Sequence, residues 1–170
     1  MPRFNAFEYL SSPESTQAGN SIGVVYGVDS TLRKWAIDAI VGDSEWTQVD
    51  GEVCKWSDLR DDLATASLFD FDGGDKRTLV VRSADKFLSN HRPEIEKYVS
   101  APGDATRFIL ELESLASNTR VYKAVDKAHL LVACTSATDA KLGITAASRR
   151  KFLTSFVADR HKTQLAPAAA

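Results

Sequence analysis

The sequence is poor in the residues that carry metal and redox chemistry: its 170 residues include two cysteines, three histidines and one methionine. Cys54 and Cys134 stand far apart with no CxxC spacing, and His91, His129 and His161 are scattered singly, so no ligand pair points to zinc. No metal and no cofactor are expected. Cys134 ends an apolar run and reads as a small buried hydrophobe, while Cys54, beside Trp56, reads as reduced and inert. Long apolar runs are also lacking. Leu130 to Cys134 is typical of those present, against the roughly 20 residues needed to cross a bilayer. Met1 to Leu10 shows no basic region followed by an apolar stretch, so the expectation is a cytoplasmic chain with no membrane partner. Charge of one sign is not in excess: 21 Lys and Arg face 23 Asp and Glu, which leaves no global positive field to draw in nucleic acid. With 44% hydrophobic residues, 9 Gly and 5 Pro, the composition excludes disorder and collagen-like structure and is sufficient for one sizeable core.

What is present is an alternation of strand and helix signals. Short apolar runs at Ile22 to Tyr26, Thr78 to Val81, Phe108 to Leu110 and Leu130 to Cys134 read as buried strands, with Thr47 to Val49 a weaker one. Between them, Leu32, Trp35, Ala36, Ala39 and Ile40 recur at helical spacing behind Asp29 or Ser30 as N-cap. Trp56, Leu59 and Leu63 mark a second helix. Ile95, Tyr98 and Val99 mark a third with Pro93 in its first turn, and Val121, Val125 and Ala128 a fourth capped by Asn118. Such alternation predicts an α/β fold, a three-layer parallel sheet with helices on both faces, because a parallel crossover needs a helix-length connection. Ligands of such sheets sit at the carboxyl ends of the strands. Here those ends are Gly27, Arg82, Glu111 to Glu113 and Thr135. Thr135 to Ala147 is rich in Ser, Thr, Ala and Gly and reads as a linker, followed by an amphipathic helix over Ser148 to Arg160 with Phe152, Leu153, Phe156 and Val157 on one face.

A P-loop at the first strand end would read GxxxxGK[ST], its backbone N–H groups cradling phosphate and its Lys reaching the terminal phosphates. In that register Gly27 is kept, Leu32 replaces the second Gly, Arg33 the Lys, and Lys34 the hydroxyl residue. Asp29 places a carboxylate where a phosphate would need the helix N-terminus. At the third strand end, Arg82 and Ser83 stand where a magnesium site needs acids, and Arg has no acceptor. These six residues, Gly27, Asp29, Arg33, Lys34, Arg82 and Ser83, form the outline of a degenerate nucleotide site. Glu111 and Glu113, alternating at a strand end, read as solvated carboxylates rather than an acid/base pair. No GxSxG, HExxH or GxGxxG is present, so no catalytic residues are expected. The alternative is a P-loop-like enzyme that still binds or hydrolyses nucleotide.

Val24-Val25-Tyr26-Gly27 followed by an acid and a Leu-led helix resembles the opening strand and degenerate loop of one family. The more specific part is Ala66-Ser67-Leu68-Phe69, then the basic pair Lys76-Arg77 and the strand Thr78 to Arg82 with Ser83-Ala84-Asp85-Lys86-Phe87. Phe108 to Leu112, Val121 to Ala124 and Val132 to Cys134 match as well. The family is the N-terminal domain of the delta subunit of bacterial DNA polymerase III, the clamp-opening subunit of the clamp loader. The resemblance runs from about Ala6 to about Ala170. It implies an AAA+-like fold without ATPase activity, within a DNA-directed DNA polymerase (nucleotidyltransferase) holoenzyme. The implied partners are the beta sliding clamp, the gamma or tau and delta-prime subunits, and DNA through the assembled complex. By position, Leu68 and Phe69 match the family's clamp-binding pair. Asp70 to Asp75 is longer and more acidic than the family's usual connection, which makes Phe71 a further anchor candidate.

From the residues alone, Leu68 and Phe69 sit near an exposed tip after the second helix, either entering a partner's pocket or folding back to staple the helix end. The resemblance implies residues 1–140 as an AAA+-like clamp-binding domain and 141–170 as a linker with the opening helices of a lid, the chain ending before a collar domain. Arg149, Arg150 and Lys151 read as a solvated helix face rather than a DNA-backbone contact, since three charges supply only a modest phosphate-binding term, and Arg120, Lys123 and Lys127 as a polar helix side facing water or a neighbouring subunit.

Overall fold

The computed structural model describes residues 3–11, 21–69, 77–103, 106–135, 138–139 and 142–161, with the side chains of 64–69, 157 and 159–161 outside that description. In chain order the elements are β1 (Arg3–Asn5), α1 (Ala6–Ser11), β2 (Ile22–Tyr26), α2 (Ser30–Val41), β3 (Trp46–Asp50) and α3 (Trp56–Phe69). They continue with β4 (Arg77–Arg82), α4 (Asp85–Asn90), α5 (Arg92–Ser100), β5 (Thr106–Leu112), α6 (Arg120–Ala128), β6 (Leu130–Ala133) and α7 (Ala146–His161). The strands form a six-stranded sheet ordered β1-β6-β2-β5-β4-β3, and every pairing is parallel.

Strand alternation divides the core between the two faces of the sheet. Ile22 and Val24, Leu79 and Val81, Phe108 and Leu110, and Leu131 pack against residues of α3, α4, α5 and α6. Val25, Val80, Ile109, Leu130 and Val132 point the other way, against α1, α2 and α7. The register sets Val80 beside Ile109 and Val81 beside Leu110, which carries the same alternation to the strand ends. Edge strand β3 has no fully buried position, matching its weak sequence signal.

Several local expectations shift. Strand β5 is longer than its apolar heart, and α6 is capped by Thr119 rather than Asn118, the Thr119 hydroxyl accepting the Tyr122 N–H at 3.2 Å. Pro93 does sit in the first turn of α5, where its missing N–H costs nothing. Elements β1 and α1 are too short to leave a periodic signal. Asn5 holds them: its Oδ1 accepts the Glu8 N–H at 2.9 Å and its Nδ2 donates to the Leu142 carbonyl at 2.8 Å. Because of that contact, 135–147 is not merely a linker. Asp139 and Ile144 form a bridge, and Ile144 is buried.

The apolar stripe of α7 packs on α1 and α2. Phe152 is buried, with its ring 5.1 Å from Phe7 and 5.2 Å from Phe156, and Phe156 lies 4.5 Å from Trp35. Offset aromatic pairs add to the area they bury. Val157 lies among the side chains outside the description. Phe152→Ala is expected to cost about 3–5 kcal/mol in urea denaturation; a loss below about 1 kcal/mol would show that α7 is not integral to this core.

Candidate functional site

The carboxyl ends of β2, β4, β5 and β6 meet at one place, where a fold of this class usually receives a ligand. Gly27 closes β2. Its φ is +139°, and a Cβ there would collide with the Cys134 carbonyl oxygen, so glycine is required for the close approach of two strand ends. Its N–H donates to the Leu112 carbonyl at 3.1 Å. Asp29 is the N-cap of α2, accepting the Leu32 N–H on Oδ1 at 3.0 Å. The chain's own carboxylate thus occupies the positive end of α2.

Arg33 is buried, although it stands one turn into α2 at the position where a P-loop carries its phosphate-binding Lys. Its Nε donates to Glu111 Oε1 at 2.9 Å, and its Nη1 donates to the Gly27 carbonyl. The other oxygen of Glu111, Oε2, pairs with Arg82 Nε. The Glu111 side chain is 6% exposed and that of Arg33 10%, so both oxygens of a desolvated carboxylate are used by guanidinium groups from two elements. This overturns the expectation of two solvated carboxylates: Glu113 is exposed, but Glu111 is in phase with Ile109 and so faces α2. The register that sets Val81 beside Leu110 brings Arg82 next to Glu111.

Ser83 follows with a φ of 49°, in the left-handed region, at a crowded crossing. The Ala84 N–H donates to the Glu111 carbonyl at 2.8 Å and the Gly51 N–H to the Arg82 carbonyl at 2.7 Å, while a Cβ on Gly51 would lie 2.7 Å from Ala84 Cα. Of the six residues expected at a vestigial nucleotide pocket, five converge here. Lys34 does not; it is exposed on α2.

Beyond the ion network lies a cleft of about 440 Å³ whose walls carry Glu52, Asp85, Glu111 and Glu113 against Arg33 and Lys86. Asp85 accepts the backbone N–H groups of Glu113 at 2.9 Å and Ser114 at 3.2 Å. Glu52, Asp85 and Glu113 repel a polyphosphate, the guanidinium of Arg33 is committed to Glu111, and the helix N-terminus is filled. Burial pushes the Cys134 thiol up, with Arg33 opposing and Asp29 and Glu111 reinforcing the shift, so it stays protonated and unreactive. Burial also raises the Cys54 thiol, and Asp50 adds to the shift. No group of metal-ligating side chains occurs among the described residues, and no described helix is long and apolar enough to cross a membrane.

Leu68 and Phe69 belong to the last turn of α3 rather than to a loop beyond it. Their side chains, and Phe71 with the rest of Asp70 to Lys76, lie outside the described residues.

Removing one partner of a buried ion network leaves the others uncompensated. Glu111→Gln is therefore expected to cost about 3–5 kcal/mol in urea denaturation, and Glu111→Leu combined with Arg33→Met less than Glu111→Gln alone. Equal stability of Glu111→Gln and the parent would mean that the network is not buried in solution.

No protein-family model matches this sequence, and no curated protein does either. Among solved structures, the chain is similar to the Bacillus subtilis DNA clamp loader delta protein (YqeN), with a TM-score of 0.59 and 19% identity. The match covers 95% of this chain and 48% of that one, so this chain spans about half the length of that protein. The likeness is one of fold: an α/β domain with a six-stranded, all-parallel sheet.

Proposed function

We propose that this chain is a non-catalytic clamp-loader domain of the delta type, which binds a ring-shaped sliding clamp and favours its open form. The observation that carries this reading is the self-filled phosphate site. The fold keeps the strand ends at which its class binds nucleotide, yet Asp29 caps α2 there and Arg33, Glu111 and Arg82 satisfy one another. Such a domain acts by differential affinity: it shifts a clamp between closed and open only as far as it binds one form better than the other. The similarity to a clamp loader delta protein over nearly the whole chain supports the same reading.

In this account, Gly27, Asp29, Arg33, Arg82 and Ser83 are the remains of a nucleotide site, while Lys34 lies away from it on the exposed side of α2. Leu68 and Phe69 are the clamp anchor, with Phe71 as a third contact. The place of Leu68 and Phe69 in the last turn of α3 suits that role. The remaining partners are the gamma or tau and delta-prime subunits of a DNA polymerase III holoenzyme in the cytoplasm, with DNA reached through the assembled complex. Residues 1–140 form the clamp-binding unit, and 141–170, whose Ile144 and Phe152 pack into the same core, lead into a lid. A nucleotide-hydrolysing enzyme of the same layered architecture is disfavoured by the acidic cleft walls and the capped α2.

A Leu and a Phe that each bury fully in a partner pocket contribute roughly 1.5–3 kcal/mol apiece. Leu68→Ala with Phe69→Ala is therefore expected to weaken binding to the cognate beta clamp by roughly two to four orders of magnitude, measured by surface plasmon resonance, with the far-ultraviolet circular dichroism unchanged. Undiminished affinity in a folded double variant removes these residues from the clamp interface.

A further inference from the structure

A cleft of about 720 Å³ opens between the first turn of α3 and the length of α5, within the size range of ligand-binding clefts. Its floor is aromatic. Trp56 and Tyr98 meet edge to face at 5.7 Å, with Phe108 behind them at 6.5 Å from Trp56 and 5.7 Å from Tyr98. Both Trp56 and Tyr98 are half-buried: each packs against the core on one side and borders the cleft on the other. The rim carries Lys55, Arg60 and Lys97 against one acid, Glu94, in a chain whose net charge is −2. Arg60 pairs with Asp61 at 3.2 Å, but both are well exposed, and a solvated neighbour of this kind yields readily to a competing carboxylate.

We propose that this cleft docks an acidic peptide segment of a partner protein, which seats one bulky apolar side chain on the Trp56–Tyr98 floor and its carboxylates on Lys55, Arg60 and Lys97. A half-buried aromatic floor within a charged rim is the arrangement of an interface hot spot. The cationic rim selects acidic segments and speeds their encounter. A peptide suits the site better than a nucleotide or single-stranded DNA for two reasons. The Ser57 hydroxyl already donates to Asp58 at 2.9 Å, so a group that would read a base edge is committed. A phosphodiester backbone offers Glu94 no donor, whereas peptide N–H groups donate hydrogen bonds to it. The cleft is distinct from the proposed clamp anchor, because Leu68 lies about 18 Å along the α3 axis from Trp56.

The test is a titration of the isotope-labelled chain, followed by amide chemical shifts. The probes are a short synthetic peptide with one phenylalanine flanked by aspartates, the same peptide with alanine in place of phenylalanine, and a short oligothymidylate. The phenylalanine peptide is expected to shift residues of the first turn of α3 and of α5. Lys55→Glu with Lys97→Glu is expected to lower its affinity about tenfold or more without changing the thermal unfolding midpoint. The alanine peptide is expected to bind at least about tenfold more weakly. Leu68→Ala with Phe69→Ala is expected to leave this binding unchanged, which separates it from clamp recognition. Any of four results overturns the proposal: no shifts at millimolar peptide, shifts centred elsewhere, unchanged affinity in the Lys55/Lys97 variant, or tighter binding of the oligothymidylate than of the peptide at these residues.

Discussion

The Glu111 carboxylate, held between the guanidinium groups of Arg33 and Arg82, is the contact on which the rest of this molecule turns. It ties β4, β5 and α2 together at the carboxyl ends of the strands, and through Arg33 it also fixes the Gly27 turn that ends β2. Two charges of one sign and one of the other are costly to desolvate. The cost is offset by the use of both carboxylate oxygens and by the Gly27 carbonyl, which accepts from the same Arg33. Once that network is in place, the position at which a parallel α/β sheet ordinarily receives a phosphate is part of the protein's own packing.

A nucleotide enzyme of this architecture concentrates its chemistry at the strand ends, whereas here the Arg33–Glu111–Arg82 network ties those ends together. In the reading we propose, recognition falls to the helices that flank the sheet. The two surfaces argued to bind partners lie at opposite ends of α3: the Leu68–Phe69 turn at its carboxyl end, and the aromatic cleft beside Trp56 at its amino end. The helix between them sets their separation at about 18 Å.

Much of this was legible in the sequence where the signal was local. Ile22–Tyr26 reads as a buried strand because it is continuously apolar, and Asp29 reads as a cap because its type and place before Leu32 leave it little else to do. What was missed depends on distance along the chain. Arg33 and Glu111 are 78 residues apart, and only the pairing register brings them together. Glu111 was nevertheless within reach: it shares the phase of Ile109, not of Leu110 and Leu112, and a strand with both faces covered places such a residue against a helix. Strand β1, with three residues, has no periodicity to detect, and the Trp56–Tyr98 floor joins two helices that no local pattern connects.

The most direct test of the central claim is isothermal calorimetry of the 170-residue chain with ATP and magnesium. A phosphate site filled by Asp29, Arg33, Glu111 and Arg82 predicts no saturable heat at millimolar nucleotide. Saturable binding at micromolar concentration, abolished by Arg33→Ala, would contradict it and return the domain to the nucleotide-binding enzymes of its fold.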